Sequence, residues 1–124
     1  HDIGETKNFN ELFNVKNEKA IFLDYNKNAV VELKMTVRAK TIYLRPFIKD
    51  TGVFYPSTGA SYARLYISND YKEWDLVGTL PSDYGSASND YICPMSLGKF
   101  KSFKYIKFNT NSSAQVSVSY IKLE

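Results

Sequence analysis

Period-two alternation of apolar and polar residues is the feature of this sequence that most constrains its fold. Residues 30–37 read VVELKMTV, and every second position is apolar: Val31, Leu33, Met35 and Val37. Successive side chains of a β-strand point to opposite faces of a sheet, so this segment predicts a strand with one buried and one solvated face. Helical periodicity is nearly absent from the sequence. The chain is therefore predicted to be all-β.

Polar turns separate seven further segments that have the composition of strands. Residues 38–40 are predicted to form a turn after the strand 30–37, and residues 69–72 are predicted to close a hairpin. Eight short antiparallel strands with polar loops at both ends are typical of a β-sandwich or jelly roll. The seven segments are 20–23, 41–48, 62–68, 73–78, 91–95, 103–109 and 116–123.

A chain of 124 residues is long enough to bury a core of its own. We therefore expect a single domain over residues 1–124, in which residues 1–28 form an irregular N-terminal part with a helical turn near residues 10–13. The side chains on the apolar side of each strand are predicted to form the core. They are Leu33, Met35, Ile42, Leu44, Leu65, Ile67, Trp74, Ile106, Phe108, Val116 and Val118.

This sequence lacks the chemical groups that most enzyme classes require for catalysis. Its single histidine is His1 and its single cysteine is Cys93, which excludes histidine-based triads and HExxH zinc sites. The six glycines form no phosphate-binding motif. A glycosidase needs only two carboxylates, but solvated turns and strand edges are expected for the acidic residues. No catalytic residue is predicted, and Cys93 is expected to be a small buried hydrophobe.

The net charge of +3 is small and dispersed along the chain, so no nucleic-acid partner is expected. The densest basic stretch contains Lys99, Lys101, Lys104 and Lys107. Its spacing predicts a solvated strand face, with an anionic partner as the alternative. No apolar run approaches the roughly 20 residues that a transmembrane helix needs, so no transmembrane segment is predicted.

Residues 62–74 resemble the motif Tyr-x-x-x-Tyr-Ser-x-Asp-Gly-x-x-Trp of the discoidin-like (coagulation factor type C) domains and the family 32 carbohydrate-binding modules. This sequence has one residue more between the second tyrosine and the serine, and Tyr71 stands where the turn glycine is expected. The resemblance covers roughly residues 29–124 and implies a galactose-binding-like jelly-roll β-sandwich of about eight antiparallel strands. Further strands of these families have similar segments in this sequence, in the same order, at residues 29–35, 41–47, 103–108 and 116–124.

The resemblance also implies a ligand site. Arg45 corresponds to an arginine that commonly reaches a sugar hydroxyl, and the alternative is a strand-edge residue that packs over an aromatic ring. The loop at residues 24–28 lacks the histidine of the sugar-binding members. There Tyr25 is predicted to offer a stacking face, and the amide of Asn26 or Asn28 is predicted to replace the hydrogen bonds of imidazole.

Two more loops complete the predicted site. In residues 49–60, Phe54 and Tyr55 fit stacking on a sugar or insertion at a membrane interface, and the alternative is that they form a local minicore. Lys49 and Asp50 begin this loop and are included among the candidate ligand-binding residues. In the loop at residues 109–115, Asn111 is predicted to make polar contacts.

A structural calcium ion is a further expectation from the resemblance, because family members often hold one through their early loops. Asp24 is the nearest candidate ligand in this sequence. No other cofactor is expected.

The function predicted from this resemblance is a non-catalytic, lectin-like carbohydrate-binding module. Such a module would be extracellular or on the surface of a cell or particle, and would dock a parent protein or particle onto glycans or cell-surface glycoconjugates. The alternative is a module of the same fold for protein adhesion, or for interaction at a viral or phage surface.

Overall fold

Eight β-strands contain most of the residues that the computed structural model describes, which are 5–7, 13, 21–45, 63–80, 92–112 and 116–124. Two of the short strands lie within residues 1–28, the part that the sequence analysis predicts to be irregular. No helix in the described ranges is long and apolar enough to cross a membrane. The strands are β1 (Glu5–Lys7), β2 (Ile21–Leu23), β3 (Asn28–Arg45), β4 (Arg64–Ser68), β5 (Asp75–Thr79), β6 (Cys93–Asn109), β7 (Val116–Val118) and β8 (Tyr120–Leu123).

The strands form one six-stranded sheet and one two-stranded sheet within the described part of the chain. The larger sheet has the order β1-β3-β6-β4-β5, and β8 also pairs with β3. The smaller sheet consists of β2 and β7. The all-β class predicted from the sequence is confirmed. The strands are not uniformly antiparallel, however, because β1 runs parallel to β3.

The long strands β3 and β6 form an antiparallel ribbon from the Asn28–Asn109 pair to the Leu44–Cys93 pair. The predicted turn at residues 38–40 is wrong, because β3 continues through it. Residues 93–95 of the predicted strand 91–95 and the whole of the predicted strand 103–109 likewise belong to one strand, β6. Alternation broken by polar residues thus marks an irregularity within a strand and not its end.

Two register shifts interrupt this ribbon near its middle. Residues 33–36 of β3 lie opposite a single residue of β6, and residues 97–100 of β6 lie opposite a single residue of β3. Extra residues of this kind bend a strand and increase its twist. Within the second insertion, Gly98 has a φ of 81°, which favours glycine. We call residues 33–40 of β3 together with residues 97–103 of β6 the corner.

Met35 was predicted to be buried, but it lies in the corner and is 68% exposed. The prediction is wrong because period-two alternation holds only while both strands advance by one residue at a time. Residues 33–36 have no one-to-one partners on β6. Leu33 remains buried at the start of this stretch, whereas Met35 turns to solvent.

Nine of the eleven predicted core side chains are buried, and they belong to one cluster. Cys93 is also buried, as predicted. Trp74 is only half-buried, because it lies in the hairpin turn after β4 and not within a strand. The nine confirmed residues are Leu33, Ile42, Leu44, Leu65, Ile67, Ile106, Phe108, Val116 and Val118.

The predicted hairpin is confirmed as the antiparallel pair β4–β5. In its turn, the Ser68 hydroxyl accepts a hydrogen bond from the Tyr71 amide at 2.9 Å. The Asp70 carboxylate accepts hydrogen bonds from the amides of Lys72 and Glu73 at 2.9 and 3.0 Å. Tyr71 has a φ of 66°, so it adopts the left-handed conformation that a glycine would adopt more readily.

Aromatic rings hold this hairpin turn against β6. The Tyr71 ring makes edge contacts with Trp74 and Tyr105, with centroids 5.3 and 5.0 Å apart. The Lys107 ammonium lies 4.4 Å from the Trp74 centroid and 4.8 Å from that of Tyr66. Burial lowers the pKa of Lys107 from its ordinary value. The tryptophan of the resembled motif therefore has a structural role here, because it packs against the neighbouring strand.

Candidate functional site

The loop between β2 and β3 is tied to the loop after β6 through one buried threonine. The Thr110 hydroxyl accepts a hydrogen bond from the Lys27 amide at 2.8 Å, and it donates to the carbonyl of Asp24. The Thr110 amide donates to the Lys27 carbonyl at 2.9 Å. Because Thr110 is only 4% exposed, these hydrogen bonds are shielded from competing water. We call residues 24–28 together with residues 109–112 the loop end.

Tyr25 and Asn26 form the tip of the first loop. The Tyr25 amide donates to the Asp24 carboxylate at 2.8 Å, a local contact typical of turns. Asn26 has a φ of 56°, a conformation that asparagine tolerates better than most residues. The Asn26 amide donates to the Asn111 carbonyl at 3.1 Å. Tyr25 is therefore 46% exposed, while hydrogen bonds hold the backbone of residues 25 and 26 in place.

Polar amide groups surround this tip. Asn28 and Asn109 face each other at the end of the β3–β6 ribbon. The Asn109 side-chain amide donates to the Asn28 side-chain oxygen at 2.7 Å. Tyr25, Asn26 and Asn111, which were predicted separately from two loops, therefore lie together at one end of the molecule.

Arg45, at the far end of β3, makes contacts within the protein that fit the second interpretation of this residue, in which it packs over an aromatic ring. Its Nε donates to the Ser119 hydroxyl at 3.0 Å, and its guanidinium lies 5.3 Å from the centroid of the Tyr120 ring. Arg45 is half-buried at the end of β3, where it pairs with Tyr120 of β8 and packs over the ring of that residue. In the described part of the chain, these contacts hold β8 against β3.

The contacts of β7 and Ser119 place Arg45 near the loop end. Val116 pairs with Leu23, which immediately precedes Asp24. Ser119 follows Val116 by three residues and donates its amide hydrogen to the Arg45 carbonyl at 2.8 Å. Three residues of extended chain span about 10 Å. If β3 were straight, its two ends would lie roughly 55 Å apart. The bend at the corner therefore places Arg45 closer to the predicted site.

Asp24, the candidate calcium ligand, lies in the loop between β2 and β3. Its carboxylate accepts the Tyr25 amide hydrogen and its carbonyl accepts the Thr110 hydroxyl hydrogen. No group of three acidic, histidine or cysteine residues gathers in the described ranges, whereas calcium requires six to eight oxygen ligands. The calcium site expected at Asp24 therefore stays a prediction.

The predicted residues Lys49, Asp50, Phe54 and Tyr55 lie outside the described residues. Their loop follows Arg45 along the chain and precedes β4, which begins at Arg64. Their part in the site stays a prediction.

Sequence reasoning missed Thr110, which connects the two loops of the site. Its contacts with Lys27 span 83 positions of the sequence, and no local pattern reports a pairing over that distance. A threonine directly after an alternating strand was the available signal, but it does not distinguish a buried hydroxyl from a solvated one.

Comparisons with known proteins bear on the fold. No protein-family model matches the sequence. No curated protein matches it either. Solved structures do match, and two modules from Clostridium perfringens are among them. One is CBM32-1 of a family 31 glycoside hydrolase, with a TM-score of 0.62 and 13% identity over 91% of this chain and 81% of that chain. The other is CpGH89CBM32-6, with a TM-score of 0.55 and 20% identity over 93% and 82% of the two chains.

A third matching structure is a pectin binding carbohydrate binding module, with a TM-score of 0.63 and 17% identity. The match covers 92% of this chain and 77% of that chain. This chain has the fold of the family 32 carbohydrate-binding modules. The resemblance to these modules found in the sequence is thereby confirmed for the fold, at sequence identities that show the fold alone. The sandwich of eight antiparallel strands stays a prediction.

Proposed function

We propose that this chain is a non-catalytic carbohydrate-binding module of the jelly-roll β-sandwich type, with its glycan site at the loop end. The observation that carries the proposal is the exposed ring of Tyr25, which stands on a loop fixed by hydrogen bonds to Thr110 and Asn111. The fold supports it, because the similar structures are named as carbohydrate-binding modules.

The chemistry of the loop end suits a sugar. The apolar C–H face of a pyranose packs against a flat aromatic ring, and its hydroxyls require donors and acceptors at the edge of that ring. Tyr25 offers the ring, while the side chains of Asn26 and Asn111 bring amide groups that can both donate and accept. A loop held in place before binding loses less conformational entropy when the sugar binds.

The loop at residues 49–60 completes the site in this proposal. Phe54 and Tyr55 add a second apolar face, and Lys49 and Asp50 add charged hydrogen-bonding groups at its base. Arg45 contributes by holding the strand end that leads into this loop, through its contacts with Ser119 and Tyr120.

In its biological setting, the module would dock a parent protein or particle onto glycans outside the cell. A glycan array that includes galactosides and plant cell-wall oligosaccharides tests this proposal. Saturable binding to a restricted set of sugars is expected, with no turnover of those sugars on prolonged incubation. Binding to none of them would favour the protein-adhesion alternative, and reproducible hydrolysis would contradict the non-catalytic assignment.

A further inference from the structure

The corner carries a group of cations that the proposed glycan site does not use. Of the four lysines in the basic stretch of β6, Lys104 lies 3.7 Å from the Glu32 carboxylate. Lys107 lies over the rings of Tyr66 and Trp74. The other two, Lys99 and Lys101, belong to the corner, and Lys99 is exposed. Half of this stretch therefore has partners within the protein, whereas the other half has none among the residues that the structure describes.

Two further basic residues of the corner belong to β3. Arg38 and Lys40 are exposed, and they flank the buried Ala39. Lys101 pairs with Ala39 and therefore shares the face of Ala39, not that of Arg38. Within the described ranges, no ion pair involves Lys99, Lys101 or either of these two cations of β3. We call the three exposed cations, Arg38, Lys40 and Lys99, the basic ridge. Unpaired cations concentrated at one place create a local positive potential that attracts anions.

An exposed aromatic ring lies within the basic ridge. Phe100 stands between Lys99 and Lys101 in the sequence and is 54% exposed. The Arg38 guanidinium lies 5.4 Å from the centroid of the Phe100 ring. An apolar ring face and a forked cationic donor are thus held next to each other at the surface.

The basic ridge is distant from the loop end. Ser102, which pairs with Arg38, and Asn109 are seven residues apart on β6, which corresponds to roughly 23 Å along an extended strand. A ligand on the ridge and a sugar at the loop end would therefore contact different surfaces. On its β4 side the ridge is bounded by a cleft that contains Asp70, Glu73, Asp75 and Ser102. An anionic chain would avoid that acidic cleft.

We propose that the basic ridge binds an anionic polysaccharide, whose sugar rings carry carboxylate or sulfate groups. Such a sugar has an apolar C–H face, which would pack on Phe100, and an anionic group, which would accept paired hydrogen bonds from Arg38. The lysines would contact neighbouring anionic groups along the polymer.

The same geometry disfavours a lipid bilayer as the occupant. Inserting Phe100 into hydrocarbon would move the adjacent Arg38 guanidinium out of water, which is strongly unfavourable. Binding of a polysaccharide in water does not carry this desolvation cost, because the guanidinium keeps an anionic partner and part of its hydration.

The test measures binding of the whole chain to polygalacturonate and to heparin at about 50 mM salt, where exposed charges are only partly screened. Arg38→Gln and Phe100→Ser are each expected to weaken polymer binding by about tenfold, the scale of one lost charged hydrogen bond or apolar contact. Lys72→Gln is the matched control, because it removes one exposed positive charge from the hairpin turn. Circular dichroism and melting temperature would establish that all variants are folded.

Several outcomes would overturn the proposal. These are no binding of either polymer by the wild-type chain, an equal loss in Lys72→Gln and Arg38→Gln, or an unchanged affinity in Phe100→Ser. Binding to vesicles with phosphatidylglycerol but to neither polymer would also overturn it and would assign the ridge to a membrane. A preference for polygalacturonate over heparin would identify carboxylate as the anion recognised, and the reverse would identify sulfate. Because Arg38→Gln and Phe100→Ser change the corner alone, their effect on polymer binding is distinguishable from a failure of sugars to bind at the loop end.

Discussion

The hydroxyl of Thr110 accepts a hydrogen bond from the backbone amide of Lys27 at 2.8 Å and so joins the two loops that form the candidate glycan site. Thr110 is buried, and its hydroxyl also donates to the carbonyl of Asp24. One side chain thus provides partners for two backbone groups of the loop that carries Tyr25. The exposed part of the site is therefore supported by a buried residue that no sugar would contact.

Replacing this hydroxyl is expected to loosen the loop end. Thr110→Val keeps the shape of the side chain but leaves the Lys27 amide and the Asp24 carbonyl without that partner. The free energy of unfolding should fall by about 1–3 kcal/mol, the cost of unsatisfied buried polar groups. Thr110→Ser retains the hydroxyl and should lose less. Urea denaturation measures both values, and equal stability of the valine variant and the wild type would contradict the role assigned to Thr110.

The conformation of Tyr71 leads to a second prediction. Its φ of 66° is unfavourable for residues with a Cβ atom and accessible to glycine. Both Tyr71→Ala and Tyr71→Gly lose the ring contacts with Trp74 and Tyr105, but only glycine relieves the backbone. The glycine variant should therefore be more stable than the alanine variant by about 1 kcal/mol. Chemical denaturation of the pair decides this, and an alanine variant at least as stable as the glycine variant would argue against backbone strain at this turn.

Asp70 should make the stability of the hairpin turn depend on pH. The amides of Glu73 and Lys72, in that order of effect, hold the pKa of Asp70 below its ordinary value of 3.8. A carboxyl with a lowered pKa in the folded state stabilises the protein above the unfolded pKa and loses this contribution as pH falls through the folded value. Asp70→Asn should therefore be less stable than the wild type at pH 7.

The difference between Asp70→Asn and the wild type should decrease as the pH falls below about 3.8. Urea midpoints of both proteins at a series of pH values measure this difference. A difference that stays constant from pH 7 to pH 3 would show that the Asp70 charge does not contribute.

The fold was predictable where each strand alternates regularly. Leu65, Ile67, Ile106 and Phe108 were all placed in the core by alternation alone, and all are buried. Met35 was misplaced because the register between β3 and β6 shifts around it. Sequence alternation records which faces are apolar, but it does not record how many residues a partner strand contributes opposite them.

The candidate site was less predictable than the fold. Tyr25 and Asn111 were identified through a family resemblance, and the structure places their loops together. The role of Thr110 depends on contacts between distant parts of the chain. The contacts of Arg45 with Ser119 and Tyr120 depend in turn on the bend of β3. Those relations arise from tertiary structure, and composition or local spacing does not determine them.

Titration of Tyr25→Ala with a sugar identified on the glycan array tests the central claim most directly, with Tyr25→Phe as the matched control. If Tyr25 provides the stacking face, the alanine variant should bind about 10-fold or more weakly, corresponding to the loss of about 1–3 kcal/mol. The phenylalanine variant should retain most of the affinity, and both variants should keep the melting temperature of the wild type. An alanine variant that binds the sugar as tightly as the wild type would contradict the assignment of the glycan site to the loop end.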